Sequence, residues 1–468
     1  MRKLMVALVE ASCGSTHVYS RTYLPRVGIP TLGAILKKLG YECDIFFEAI
    51  SAPDREQLKK YDVVGIGSIT NTITDAYGLA DYLRGHGVKV VMGGPHVTFM
   101  PEEALAHCDY VVLGEGDASF PALLTELANG GSVQSVPGLA LRDPGGGVQL
   151  PGKADPVDFE GLPSPDFSLC PQLKAGKIPP IIVTSRGCPH DCIFCSVTSI
   201  FGRKYRFKRN RQVIDEIRPV QRRSICFGDD NFCANPKRTK SLLKDMIDQE
   251  AVPLRWAGQM CVAAGDDLEL LDMMQETRCR TIYVGIESIN PETLKKYGKA
   301  HEHAATARCI ENLHRHNIGI HGMFVVDQDD DPQSVKATID YAIENDMDML
   351  QVMTLTPFPG TAAYQELKGQ LLHSNWEYFD GLHLVMEPKK CTSYELQTAV
   401  IREMQRFYSL KRALGSYRKN RGWRLKYRLG AHYLLGKWTR ENADYIERLR
   451  TNFYHNGLAS LETNESRT

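Results

Sequence analysis

Thr184-Ser185-Arg186-Gly187-Cys188-Pro189-His190-Asp191-Cys192-Ile193-Phe194-Cys195 places three cysteines at C-x3-C-x2-C spacing. The apolar run before it, 181–184, reads as a strand, so the three thiols are expected on a loop at a strand's carboxyl end. An iron–sulfur cubane usually takes four cysteine ligands, so three leave one iron open to a substrate or cofactor. Zinc is the competing reading, because C-x2-C pairs are common in structural sites. Those sites close with four ligands at two paired spacings, and no partner pair lies nearby. His190 is a further candidate ligand, but it sits inside the loop where its reach is short.

Outward from this loop, strand-like runs recur at 224–227, 254–257, 281–285, 319–326 and 349–355, with helical periodicity between them. Six such units predict a partial β/α barrel over 180–375, with its chemistry at the strand carboxyl ends. Upstream, strand-like 4–9, 42–47, 63–67, 88–92 and 110–113 alternate with helical 30–39, 75–84 and 119–127. That pattern predicts an α/β, doubly wound, Rossmann-like domain over 1–135, which binds ligands at the strand carboxyl ends. Gly, Pro and Asp dominate 136–179, as in Asp143-Pro144-Gly145-Gly146-Gly147, and read as a linker with a small hairpin.

The region 376–468 reads as mainly helical and basic. A capping box at Thr392 and Glu395 opens a long helix, and between 402 and 440 basic residues alternate with aromatics. Two readings stand open there: a helical cap on the barrel, or a surface that meets a membrane, an anionic lipid or a phosphate-bearing substrate. The tail 462–468 is expected to be disordered.

The 56 basic and 56 acidic residues balance, which argues against the global field of a nucleic-acid binder. No apolar run approaches the roughly 18–20 residues that cross a bilayer, and the first apolar run, broken at Glu10, reads as a strand rather than a signal peptide. A cytoplasmic location is expected, with membrane association through the basic region as the alternative. Among the 13 cysteines, isolated ones such as Cys43, Cys108, Cys279 and Cys309 read as small buried hydrophobes, and Cys226, Cys233 and Cys261 as inert thiols. His301 and His303 read as an exposed loop.

The cysteine spacing, with Phe194 before the last thiol at the mouth of a β/α barrel, resembles the radical S-adenosylmethionine enzymes. The resemblance implies that Cys188, Cys192 and Cys195 hold a 4Fe–4S cluster whose open iron chelates S-adenosylmethionine. It further implies that Phe194, Gly228, Asp229, Asp230, Glu287, Ser288 and Gly322 contact S-adenosylmethionine. Thr356-Pro357-Phe358-Pro359-Gly360-Thr361 matches a subgroup with an N-terminal cobalamin-binding domain. Gly93-Gly94-Pro95-His96 and Gly114-Glu115-Gly116 look like that domain's strand ends, and with Ser68 and Thr70 they are the implied cobalamin contacts. The D-x-H-x-x-G motif that supplies a lower axial histidine in other cobalamin domains is absent from the sequence.

The implied reaction is cobalamin-dependent methylation of an unactivated carbon. Within the subgroup the alternative is non-methylating cyclisation, ring contraction or carbon–carbon bond formation, as in the anaerobic magnesium-protoporphyrin ester cyclase. A methylthiotransferase is a weaker rival, since Cys13, Cys43 and Cys108 lack a cluster context, and a zinc-stabilised binding module stands outside the family. The implied partners are a small-molecule or lipid substrate and an electron donor such as flavodoxin or ferredoxin, with no nucleic acid.

Overall fold

The computed structural model describes residues 4–13, 24–143, 145–170, 173, 179–299, 303–418 and 422–451. Strands β1 (Met5–Glu10), β2 (Glu42–Phe47), β3 (Val63–Gly67), β4 (Lys89–Gly93) and β5 (Tyr110–Val112) pair in parallel, in the order β2-β1-β3-β4-β5. The inner strands β1 and β3 are apolar from Met5 to Val9 and from Val63 to Gly67 because helices cover both faces of the sheet, whereas the edge strand β2 carries Glu42 and Asp44 in its first half. Ala7, Val9, Val64, Ile66 and Val90 pack with residues of the helix Ile73–Gly85. On the other face Val6, Leu8, Val91 and Val112 pack with the helices Gly28–Lys38 and Gly116–Asn129.

The hairpin expected in the linker is not free-standing. Its strands β6 (Leu139–Arg142) and β7 (Val148–Gln149) extend the first sheet, with β6 antiparallel to β5. Leu139, Ala140 and Leu141 are buried there, and the pairing covers what would be an open sheet edge.

The second sheet is wholly parallel, in the order β15-β14-β13-β12-β11-β8, formed by β8 (Ile181–Ile182), β11 (Ser224–Phe227), β12 (Arg255–Cys261), β13 (Cys279–Glu287), β14 (Gly319–Val326) and β15 (Met349–Thr354). Its first strand is shorter than the 181–184 run because the Thr184 N–H donates to the Asp229 carboxylate at 3.2 Å instead of to the ladder. The chain then forms β9 (Ser185–Arg186), antiparallel to β10 (Arg206–Phe207). Along β13 to β15, Ile282, Val284, Ile320, Phe324, Leu350 and Val352 pack outward against helix residues. Strand alternation turns Tyr283, His321, Met323 and Gln351 to the lumen.

The capping box forms: Thr392 Oγ1 accepts from the Glu395 N–H at 3.2 Å, and Glu395 Oε2 accepts from the Thr392 N–H at 2.8 Å. The helices Leu410–Arg418 and Gly422–Glu441 follow and pack on each other beneath the amino ends of the barrel strands. The Tyr408 hydroxyl donates to the Leu350 carbonyl at 2.6 Å, and Arg424 pairs with Asp348 just before β15. Phe407, Tyr408, Trp438, Arg424 and Arg428 are all buried, so much of the basic–aromatic alternation serves packing. Among the described residues no helix is long and apolar enough to cross a membrane. His301 and the tail 462–468 lie outside the described residues, and His303 opens the helix His303–Arg315.

Candidate active site

The carboxyl ends of the two sheets face each other across one cavity of about 530 Å³. The first sheet contributes Gly67, Ser68, Gly93, Gly94, Gly114 and Gly116 to its wall. Gly94 has φ 114°, and a Cβ there would meet the Ser68 carbonyl oxygen at 2.2 Å, so only glycine fits this turn. A Cβ at Gly93 would meet nothing within 4 Å, which leaves the wall open to a ligand on that side. Ser68 Oγ is buried in the wall with no hydrogen-bond partner.

Three residues expected against cobalamin have their side chains engaged within the protein. Thr70 is buried in the turn Thr70–Thr72 and is not part of the cavity wall. His96 turns inward at the start of a short helix, where its Nε2 lies 3.3 Å from Glu103 Oε1 and its ring meets Trp376 edge-on at 5.0 Å. Glu115 reaches the wall, but its carboxylate is held by Arg186 at 2.8 Å and by Arg206 at 3.1 Å. Among the described residues no histidine lines the cavity.

The opposite wall is built on β9, β11 and the helix Ser196–Phe201, which flank the cysteine loop, with Ser185, Arg186, Cys226, Gly228 and Asp230. The loop turns at Gly187, φ 87°, where a Cβ would press on the Lys204 carbonyl at 2.6 Å. Asp229 and Asp230 are adjacent but have opposite duties. The Asp229 carboxylate is fully buried behind the wall and accepts from Thr184 N–H at 3.2 Å, Thr184 Oγ1 at 2.8 Å and Ser185 Oγ. It braces the strand that launches the cysteine loop, and Asp230 rather than Asp229 reaches the cavity. Asp230 faces the cavity, and burial followed by repulsion from Asp229 pushes its carboxyl up to about 6.

Burial pushes all three loop thiols up, Cys195 to about 11, while the Lys299 ammonium draws Cys188 and Cys192 back. Lys299 also pairs with Glu287 at 2.6 Å. Glu287 ends β13 with φ 65°, at an irregularity in register with β14. That left-handed conformation is unfavourable for a side chain and turns Glu287 toward the loop. Ser288 Oγ accepts from the Asn290 N–H at 3.1 Å. Phe194 lies edge-on to Tyr297 at 5.2 Å. Gly322 faces outward: a Cβ there would meet Met347 Sδ at 2.8 Å, so this glycine serves packing rather than the lumen.

Two residues near the loop escaped the sequence reading. Lys299 lies beyond any motif. Cys261, read as inert, ends β12 half-buried; burial raises its thiol, but hydrogen bonding with His190 and Asn231 outweighs this and leaves it below its ordinary value. Cys226 likewise proves to line the cavity.

Residues 182–342 match the radical SAM superfamily, and residues 18–124 match the B12 binding domain. An uncharacterized methyltransferase of Pyrococcus horikoshii is 32% identical over 368 residues, 75% of this chain and 80% of the relative. The chain belongs to the cobalamin-binding radical S-adenosylmethionine enzymes. A bacteriochlorophyllide d C-12(1)-methyltransferase of Chlorobaculum tepidum is 29% identical over 81% of each chain. The solved structure of OxsB, a cobalamin-dependent S-adenosylmethionine radical enzyme with aqua-cobalamin and S-adenosylmethionine bound, shares the fold with TM-score 0.74 at 14% identity, covering 99% of this chain and 80% of that one.

As a cobalamin-binding radical S-adenosylmethionine enzyme, the protein takes a 4Fe–4S cluster, S-adenosylmethionine and cobalamin as cofactors, and the residues present fit them. Among the described residues no three His, Cys, Asp or Glu side chains converge on a point one metal ion could occupy. The open side of Gly93 and the unpartnered Ser68 Oγ suit a flat macrocycle with polar substituents.

Proposed function

We propose that the chain is a cobalamin-dependent radical methyltransferase acting on an unactivated carbon of a small, largely apolar molecule. The observation that carries this is a cavity walled on one side by the glycine strand ends and on the other by β11 and by Ser185, Arg186 and the helix Ser196–Phe201, the segments that flank the cysteine loop. Cys188, Cys192 and Cys195 hold the cluster; Asp230, Gly228, Glu287, Ser288 and Phe194 position S-adenosylmethionine; Ser68, Gly93, Gly94, Pro95, Gly114 and Gly116 cradle the corrin. When bound, these groups supply one-electron cleavage of S-adenosylmethionine and transfer of a methyl group.

The chain's own residues hold charge and exclude water. Glu287 and Lys299 form a largely enclosed ion pair beside the cysteine loop that would offer one carboxylate and one ammonium to a bound amino acid's two charges. Asp230, near half-protonated around pH 6, presents either an acceptor or a donor to the cavity. The apolar preference draws support from the wall residues Leu8, Ile29, Val91, Phe120 and Ile200, and from the bacteriochlorophyllide substrate of the Chlorobaculum relative. Exposed Pro189, His190 and Asp191 on the cysteine loop give a small one-electron carrier, flavodoxin or ferredoxin, a short path to the cluster.

The test is anaerobic reconstitution with iron, sulfide and hydroxocobalamin, followed by quantification of each and by turnover with methyl-labelled S-adenosylmethionine on apolar candidate substrates. Four irons and one corrinoid per chain, with label in product, support the reading. 5′-Deoxyadenosine formed with a converted but unlabelled substrate moves the chemistry to cyclisation or ring contraction.

A further inference from the structure

From Gln405 through Arg440 the chain carries eleven Lys and Arg and no Asp or Glu, although the whole sequence is balanced. Two of these cations, Arg424 and Arg428, are spent inside the fold and a third, Arg406, in a half-exposed pair. Arg406 pairs with Asp340 at 2.7 Å, Arg424 pairs with Asp348, and Arg428 donates to the Met347 carbonyl at 3.0 Å. They clamp the last helices under the barrel. Others, Lys411 and Arg440 among them, are exposed, and Lys437 pairs with Glu441 at 3.5 Å.

Large apolar side chains are exposed beside them. Leu410 is 51% exposed and Leu414 61%, four residues apart and so on one face of the helix Leu410–Arg418. Leu429 is 39% exposed and Tyr433 64%, again four apart, on the face of Gly422–Glu441 opposite its buried Arg424, Arg428 and Leu435. Lys426, Lys437 and Arg440 continue that second stripe at helical spacing. Isolated exposed leucines need no explanation, but this molecule exposes only ten large hydrophobics among its described residues, and four fall on these two helices.

We propose that the two helices Leu410–Arg418 and Gly422–Glu441 dock the enzyme on an anionic lipid bilayer, with Leu410, Leu414, Leu429 and Tyr433 entering the interface and the surrounding cations meeting the headgroups. The charge fixes the sign of the partner, and the apolar residues fix its kind. A nucleic-acid backbone satisfies the cations but gives exposed leucines nothing to bury against, whereas a bilayer interface takes leucine at the acyl boundary and tyrosine at headgroup depth. The surface lies at the amino ends of the barrel strands, away from the cavity, so membrane contact leaves the cofactor face open. The inference is independent of the reaction proposed for that cavity.

The test is co-sedimentation of the anaerobically reconstituted full chain with vesicles of phosphatidylcholine alone or with about a third phosphatidylglycerol. Binding is expected only to the anionic vesicles and weakens as salt rises. Lys411→Gln and Arg440→Gln are each expected to weaken it by about fivefold, from the roughly 1 kcal/mol carried by each cation near a surface. Leu414→Ser with Tyr433→Ser weakens it at constant charge. All four positions are exposed, and iron content and the far-ultraviolet spectrum confirm that the variants remain folded. Absence of binding to anionic vesicles at low salt overturns the proposal. So does binding indifferent to the Leu414 and Tyr433 changes, or tighter binding to a DNA duplex, either of which makes the surface a plain polyanion site.

Discussion

Arg186→Met tests whether the two halves of the cavity are held together by charge. Arg186 lies one residue before Gly187 of the cysteine loop, and its Nη1 reaches Glu115 at 2.8 Å and Asp117 at 2.5 Å, with Nη2 3.2 Å from the second Asp117 oxygen. The three side chains are 11%, 6% and 5% exposed, and the guanidinium also lies over the Phe159 ring at 5.0 Å. Were these surface pairs, losing one would cost about 0–1 kcal/mol. Buried as they are, removing the cation leaves Glu115 with Arg206 alone and takes from Asp117 its paired guanidinium, and the expected loss is about 3–5 kcal/mol. Urea unfolding of the apo chain, followed by circular dichroism and tryptophan fluorescence, measures it. Asp117→Asn in the Arg186→Met background removes one stranded charge, so it is expected to recover part of the loss. A loss under about 1 kcal/mol, or no recovery in the double variant, refutes the idea of a buried clamp.

Gly94→Ala forces a Cβ against the Ser68 carbonyl at 2.2 Å with φ 114°, so corrinoid content after reconstitution is expected to fall sharply while iron content holds. Asp229→Asn removes a charged acceptor from Thr184 and Ser185; about 1.5–3 kcal/mol of stability and much of the retained iron should go, and a change under 0.5 kcal/mol in the unfolding midpoint energy would count against the brace. Burial lowers His321 to about 3, below the roughly 6.5 of an unfolded histidine, so the unfolded chain binds the extra proton between these values. Its contribution is therefore fully present above pH 6.5 and is lost as pH falls toward 3, at up to about 1.4 kcal/mol per unit, and His321→Phe should flatten that slope in pH-dependent unfolding.

The strands were legible because parallel strands buried on both faces are mostly apolar runs, unbroken at Val63–Gly67 and interrupted only by His321 at Gly319–Val326. The cysteine loop was legible because its ligands are local. What escaped depends on direction and distance. Asp229 and Asp230 are equivalent in sequence, and only the backbone's path after β11 decides which carboxylate faces the cavity. His96 follows a cavity glycine but enters a helix that carries its ring inward. Lys299 reaches Glu287 from twelve residues downstream, and Arg424 is neutralised by Asp348 across 76 residues, so a basic run that looks solvated locally is partly buried.

That last pairing bears on the order in which the chain can fold as it is synthesised. Asp348 is buried and also accepts from the Ile320 N–H at 2.9 Å, and Leu350 satisfies both its backbone groups on Tyr408. Until residues past Arg424 have left the ribosome, the barrel's last strand lacks the buried guanidinium that pairs with Asp348 and has an open lower end. The Rossmann-like sheet and the first barrel strands can therefore mature early, while β15 waits for the final helices. A nascent chain stalled before Arg424 should show a protease-resistant amino-terminal half and a labile barrel edge.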